Sequence, residues 1–128
     1  MSQTTELTLR LLSESFHVHR LDPEMVVPPA VRDAVPHFIG QTEDELSIVC
    51  PASVPVPDAR TEPDWSCFKV EGPLDFALVG IIARISQVLA AERISIFVIS
   101  TFDTDYILVK ESEVERALKV LKSAGYAL

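Results

Sequence analysis

WSCFKVEGPLDFALVGIIARISQVLAAERISIFVISTFDTDYILVKESEVERALKVLKSAGYAL, residues 65–128, is the stretch that decides the fold. Trp65 to Glu71 alternates large apolar and polar side chains at period two, as a half-buried strand does. Gly72-Pro73 ends it, and Asp75 sits where a helix N-cap belongs. Leu78, Ile81, Ile82, Ile85, Val88 and Leu89 recur at helical spacing, which predicts an amphipathic helix from about Phe76 to Ala91. Ile94 to Thr101 is β-branched and apolar on both faces, the pattern of a central strand. Phe102 to Asp105 carries turn formers, so Tyr106 to Lys110 reads as the returning strand of a hairpin. Ser112 and Glu115 have the spacing of a capping box opening a second helix, and Gly125 is placed to end it. The order strand, helix, strand, strand, helix is the α+β, ferredoxin-like plan βαββα. It places both helices on one face of an antiparallel sheet.

Outward from this segment the signal weakens. Pro51, Pro55, Pro57 and Pro63 fill CPASVPVPDARTEPD, Cys50 to Asp64, which reads as an extended connector and not as a helix or a central strand. Before it, Glu6 to Leu12 and Phe16 to Leu21 have strand character, and Pro29 to Val35 allows one helical turn. His37 to Gly40 and Leu46 to Val49 suggest a second strand pair around the turn Thr42 to Glu45. This half reads as a degenerate repeat of the other, dividing the chain into residues 1–61, repeat plus connector, and 62–128.

Composition narrows the function classes. The 128 residues are 48% hydrophobic and 23% charged, enough to bury a core. The net charge of −8, with Lys and Arg scattered singly, argues against nucleic acid and against an anionic membrane surface. No apolar run is long enough to span a bilayer, and no secretory signal is legible at the start, so the cytoplasm is the expected compartment. Cys50 and Cys67 stand apart, without a metal or redox motif, and read as reduced packing residues. His17 and His19 share one strand face, but no companion ligands complete a zinc shell. No nucleophile elbow or phosphate loop occurs. No catalytic residue, metal or cofactor is therefore expected, and an enzyme on this scaffold ranks last.

The run Val70 to Val109 resembles the second ACT repeat of small bacterial proteins with paired ACT domains, and is similar to the ACT repeats of cytosolic arginine sensors and aspartate kinases. TEDELSIVC, Thr42 to Cys50, resembles the segment that closes the first repeat in such proteins. The resemblance implies a ferredoxin-like ACT fold in two repeats, and a non-catalytic regulatory module that binds an amino acid or similar small metabolite. Carried onto this chain, it implies a site at Leu78, Val79, Gly80, Ile81 and Ile82, with Ser100, Thr101 and Asp105 opposite and Ser47 and Ile48 from the first repeat. Leu78 stands where the arginine-sensing pattern has a carboxylate, which removes the expected partner of a cationic side chain.

Two readings stand for several of these positions. A glycine early in an apolar helix costs up to about 1 kcal/mol relative to Ala; Gly80 would offset it by admitting either a ligand or a closely packed neighbour. Asp105 is either a turn former or the partner of a ligand ammonium, and Asp103 is chiefly a turn former. Ser100 and Thr101 either satisfy a strand end or meet a ligand carboxylate beside the positive end of the helix. A homodimer is expected because a short sheet leaves strand edges to pair. The alternative is a ligand-free protein–protein interaction module on the same fold.

Overall fold

A computed structural model describes residues 7–71 and 80–128. The chain divides into two compact units, unit 1 comprising Met1–Ser13 with Ser66–Leu128, and unit 2 comprising Glu14–Trp65. Strand β1 is Leu9–Leu21, followed by helix α1 (Pro29–Asp33), β2 (Phe38–Gln41), β3 (Leu46–Pro51) and β4 (Arg60–Val70). Helix α2 (Ile81–Ala91), β5 (Ile96–Ser100), β6 (Asp105–Lys110), a 3-10 turn at Glu111–Glu113 and α3 (Val114–Ser123) complete the order. The unit boundaries fall inside β1 and β4, so each long strand contributes to both units. The sequence division at 61/62 lies near the second boundary and has no counterpart of the first.

In unit 1 the strands run in the order β1-β4-β6-β5. The antiparallel hairpin pairs Ile96 with Val109, Val98 with Ile107 and Ser100 with Asp105. Phe68, Val70, Ile107 and Val109 of the sheet, Ile85 and Leu89 of α2, and Ala117 and Leu121 of α3 form one buried cluster. Both helices thus bury their apolar stripe on one core, as the α+β expectation required. β6 is the inner strand, and ISIFVIST supplies the edge strand β5, whose apolar residues are half-buried. An apolar run reports burial, and in a sheet this small an edge strand can be covered enough to carry one.

Helix ends depart from the sequence reading. The capping box of Ser112 and Glu115 does not form: a 3-10 turn intervenes, and Glu113 at the N-cap makes no side-chain cap bond. The C-terminus follows expectation. Gly125 adopts φ 103°, its N–H bonds to the Lys122 carbonyl, and the Tyr126 N–H reaches back to Leu121. This is the Schellman pattern, and the apolar contact that accompanies it brings Tyr126 into the cluster with Leu121. The last residues then form a parallel bridge, Thr8 to Ala127.

Unit 2 has strand order β2-β3-β1-β4. Phe16 pairs with Pro51 and Leu21 with Leu46, while Phe38 pairs with Val49 and Gln41 with Leu46. The β2–β3 turn is held by Thr42, whose hydroxyl oxygen accepts from the Asp44 and Glu45 N–H groups. Leu21, Val27, Val31, Leu46, Ile48 and Cys50 form the core. Val54, Val56 and Ala59 of the proline-rich segment pack against it, so that segment is core cover as well as connector. β4 begins within it and contains Pro63 four positions from its start, so part of the expected connector is strand.

Candidate functional site

Of the site residues expected in unit 1, those described lie at the start of α2 and on the β5–β6 hairpin. Leu78 and Val79 fall outside the described residues, as do the cap at Asp75 and the helix start at Phe76. Gly80 is the N-cap of α2 and not an interior helical residue, with φ 79° and ψ 8°. A Cβ added there would meet nothing within 4 Å. Its requirement for glycine is therefore conformational, and the close-packing account fails. The Gly80 carbonyl accepts the first helical bond, from the Arg84 N–H at 2.9 Å, and no side chain caps the helix. The early N–H groups of α2 have no partner within the helix, by the geometry of any helix start. Ile81 and Ile82 are half-buried against the unit 1 core.

The hairpin is stitched by its own side chains. Ser100 Oγ donates to Asp105 Oδ1 at 2.5 Å across the register pair that closes the strands. Thr101 N–H bonds to the Thr104 carbonyl at 2.8 Å, and the Thr104 N–H returns to Thr101 Oγ1. Thr104 was not singled out on sequence, yet it is buried and its Oγ1 donates to the Val70 carbonyl at 2.5 Å. That bond ties the hairpin to the end of β4, where the chain leaves toward α2. Glu71 is fixed at the same place by its N–H to the Thr8 carbonyl and by an ion pair with Arg10 at 2.6 Å. Ser100 and Thr101 are exposed and Asp105 is half-buried; both hydroxyls donate within the hairpin, Ser100 to Asp105 and Thr101 Oγ1 to the Thr104 carbonyl at 3.1 Å.

Ser47 and Ile48 belong to unit 2. Ile48 is fully buried in its core and pairs with His19 and Ile39; Ser47 pairs with Arg20 and Gly40 and is half-buried. His19 is only 4% exposed. Thr61 Oγ1 lies 2.8 Å from its Nδ1, its Nε2 is buried without a partner, and the His17 ring stands edge-on at 5.9 Å. Burial lowers the His19 pKa, and the neighbouring His17 adds to this. His17 Nδ1 accepts the Asp64 N–H at 3.2 Å. Cys50 and Cys67 are free and buried, and burial pushes the Cys50 thiol up, away from the reactive thiolate. Among the described residues, no group of three or more His, Cys, Asp or Glu side chains converges as a metal site would. No described helix is long and apolar enough to cross a membrane.

The model of a family described as ACT domain matches residues 60–123. The mouse cytosolic arginine sensor for mTORC1 subunit 1 is 31% identical over 121 residues, covering 88% of this chain and 37% of that protein. The chain spans well under half the length of the curated relatives it matches. A crystal structure of a protein from Agobacterium tumefaciens superposes with a TM-score of 0.89 at 36% identity, over 98% of this chain and 93% of that one. The ligand-free regulatory subunit of aspartate kinase from Thermus thermophilus shares the fold, with a TM-score of 0.68 at 12% identity over 94% of this chain and 99% of that one.

Proposed function

Because the chain belongs to the ACT domain family, we propose that it is a non-catalytic regulatory module that binds an amino acid or a similar small metabolite. The observation that carries this reading is the braced, exposed hairpin of unit 1, where Ser100 and Asp105 share a 2.5 Å hydrogen bond beside the exposed Thr101. An ammonium group can take the remaining lone pairs of Asp105, since a carboxylate offers about four acceptor positions and Ser100 uses one. Backbone N–H groups at the uncapped start of α2, from Gly80 to Ile82, suit a carboxylate, helped by the positive end of the helix. Leu78 and Val79 complete the proposed set. The relative named as a cytosolic arginine sensor supports the ligand class and a cytoplasmic setting.

The module acts as a homodimer. β5 is the edge strand of unit 1, and an edge leaves one row of backbone groups to pair with another chain. A ligand with higher affinity for one arrangement of the assembly shifts the population toward it, which is how binding becomes regulation. A thermal-shift screen of free amino acids tests the binding step. At least one should raise the melting temperature of the wild type, and Asp105→Ala should abolish that rise while leaving the ligand-free melting temperature little changed.

A second reading is a protein-interaction module that uses the same edge without a ligand. The half-buried apolar residues of β5 and the 80% exposure of Phe102 at the hairpin tip favour it. It would be preferred if no metabolite stabilises the chain and Asp105→Ala still binds a co-purified partner.

A further inference from the structure

Strand β1 places His17 and His19 on one face of unit 2, two positions apart. Their ring centres stand 5.9 Å apart, with the planes at 74°. His19 is almost wholly buried, and its Nε2 has no hydrogen-bond partner. A buried polar atom orphaned in this way is rare and costly, and a bound ion is one of the few arrangements that accounts for it. Both rings turn Nδ1 toward an oxygen. Thr61 Oγ1 lies 2.8 Å from Nδ1 of His19, and the Phe16 carbonyl lies 3.2 Å from Nδ1 of His17. Histidines that ligate a metal through Nε2 hold their other nitrogen in this manner, with Nδ1–H directed to an oxygen. Burial lowers the His19 pKa and so favours the neutral ring, the form with a lone pair to give.

We propose that His17 and His19 form an open site for one divalent transition-metal ion that favours imidazole, such as zinc, bound between the two Nε2 atoms. With Zn–N bonds of about 2.1 Å, the centres of two ligating rings stand from about 5 Å apart at a tetrahedral angle to about 6.5 Å apart in a linear pair, a range that includes the observed separation. Among the described residues no third His, Cys, Asp or Glu joins them, so water completes the shell and the affinity is on the order of micromolar. Binding has one local consequence. His17 Nδ1 accepts the Asp64 N–H at 3.2 Å when it carries no proton. With the metal on Nε2, Nδ1 holds the proton and donates to the Phe16 carbonyl, so the Asp64 N–H loses that acceptor. The site shares no residue with the hairpin of unit 1 and does not depend on its ligand.

Titration of the intact chain with zinc chloride, followed by NMR of the imidazole nitrogens and the backbone amides, tests the proposal. The expected result is one saturable site, with large shifts at Nε2 of both His17 and His19 and a shift of the Asp64 amide. His17→Gln, at a half-buried position, should weaken zinc binding at least about tenfold, and His37→Gln should leave it unchanged. His19→Gln should act as His17→Gln does; if the buried change prevents folding, His17→Gln decides. Zinc shifts confined to His37, Cys50 or Cys67 would overturn the proposal, as would an affinity unchanged by His17→Gln. An Asp64 amide that does not move, or no zinc binding up to about 1 mM, would overturn it as well.

Discussion

Units 1 and 2 are built on strands they share along the chain, yet they close their cores differently. Unit 1 covers its sheet with two helices, α2 and α3, whose Ile85, Leu89, Ala117 and Leu121 enter one cluster with Phe68, Val70, Ile107 and Val109. Unit 2 has only the five-residue α1, with Val31 buried, and finishes its core with Val54, Val56 and Ala59 from a proline-rich segment. A helix brings an apolar residue to the same face every three to four positions, so two helices suffice for a continuous stripe. A chain punctuated by prolines offers isolated contacts.

Core truncation should show the contrast most strongly. Leu89→Ala removes a fully buried side chain and should cost about 3 kcal/mol by urea denaturation. The matching change on the other side, Val56→Ala, removes a half-buried contact and should cost about 1 kcal/mol. Equal costs would mean that the proline-rich segment is as well packed as a helix. Gly125→Ala forces a Cβ into a left-handed position and should cost about 1 kcal/mol, seen as a lower urea midpoint with unchanged slope.

His19 gives unit 2 an acid sensitivity that no histidine gives unit 1. Its pKa is lowered in the folded chain, chiefly by burial and further by His17. The unfolded chain, where the imidazole titrates near its ordinary value of about 6.5, therefore binds more protons at mildly acidic pH. This contribution to stability is fully present above about pH 6.5 and is lost as pH falls toward the lower folded value. Urea midpoints at about pH 8 and about pH 5.5 should differ in that direction, and His19→Asn should reduce the difference. The smallest effect is expected at Ser112→Ala, near 0 kcal/mol, because its side chain makes no cap bond; a working N-cap would cost about 1 kcal/mol.

Much of this contrast was legible in residues 65–128. The spacing of Ile81, Ile85 and Leu89, the turn formers at 102–105 and Gly125 at the helix end each produce local structure directly, and the structure has a helix, a hairpin turn and a helix end there. What failed depended on tertiary context. The apolar run of β5 looked central because composition reports burial and not strand order. Ser112 had the right neighbour at Glu115, but Ser112 lies inside a 3-10 turn and the helix N-cap falls at Glu113. Pro63 argued against a strand, yet it lies inside β4. Of the expected site, Ser100, Thr101 and Asp105 come together because they flank one turn. Thr104 lies in the same turn, but its bond to the Val70 carbonyl is long-range, which no local motif announces.

The central claim is that the hairpin of unit 1 helps bind an amino acid. Isothermal titration of the intact chain with each of the twenty L-amino acids, repeated on Asp105→Ala, tests it most directly. The account predicts saturable heat with at least one of them and a loss of at least about tenfold in affinity in the variant. A folded chain that is silent to all twenty, or a binding isotherm unchanged by Asp105→Ala, would contradict it.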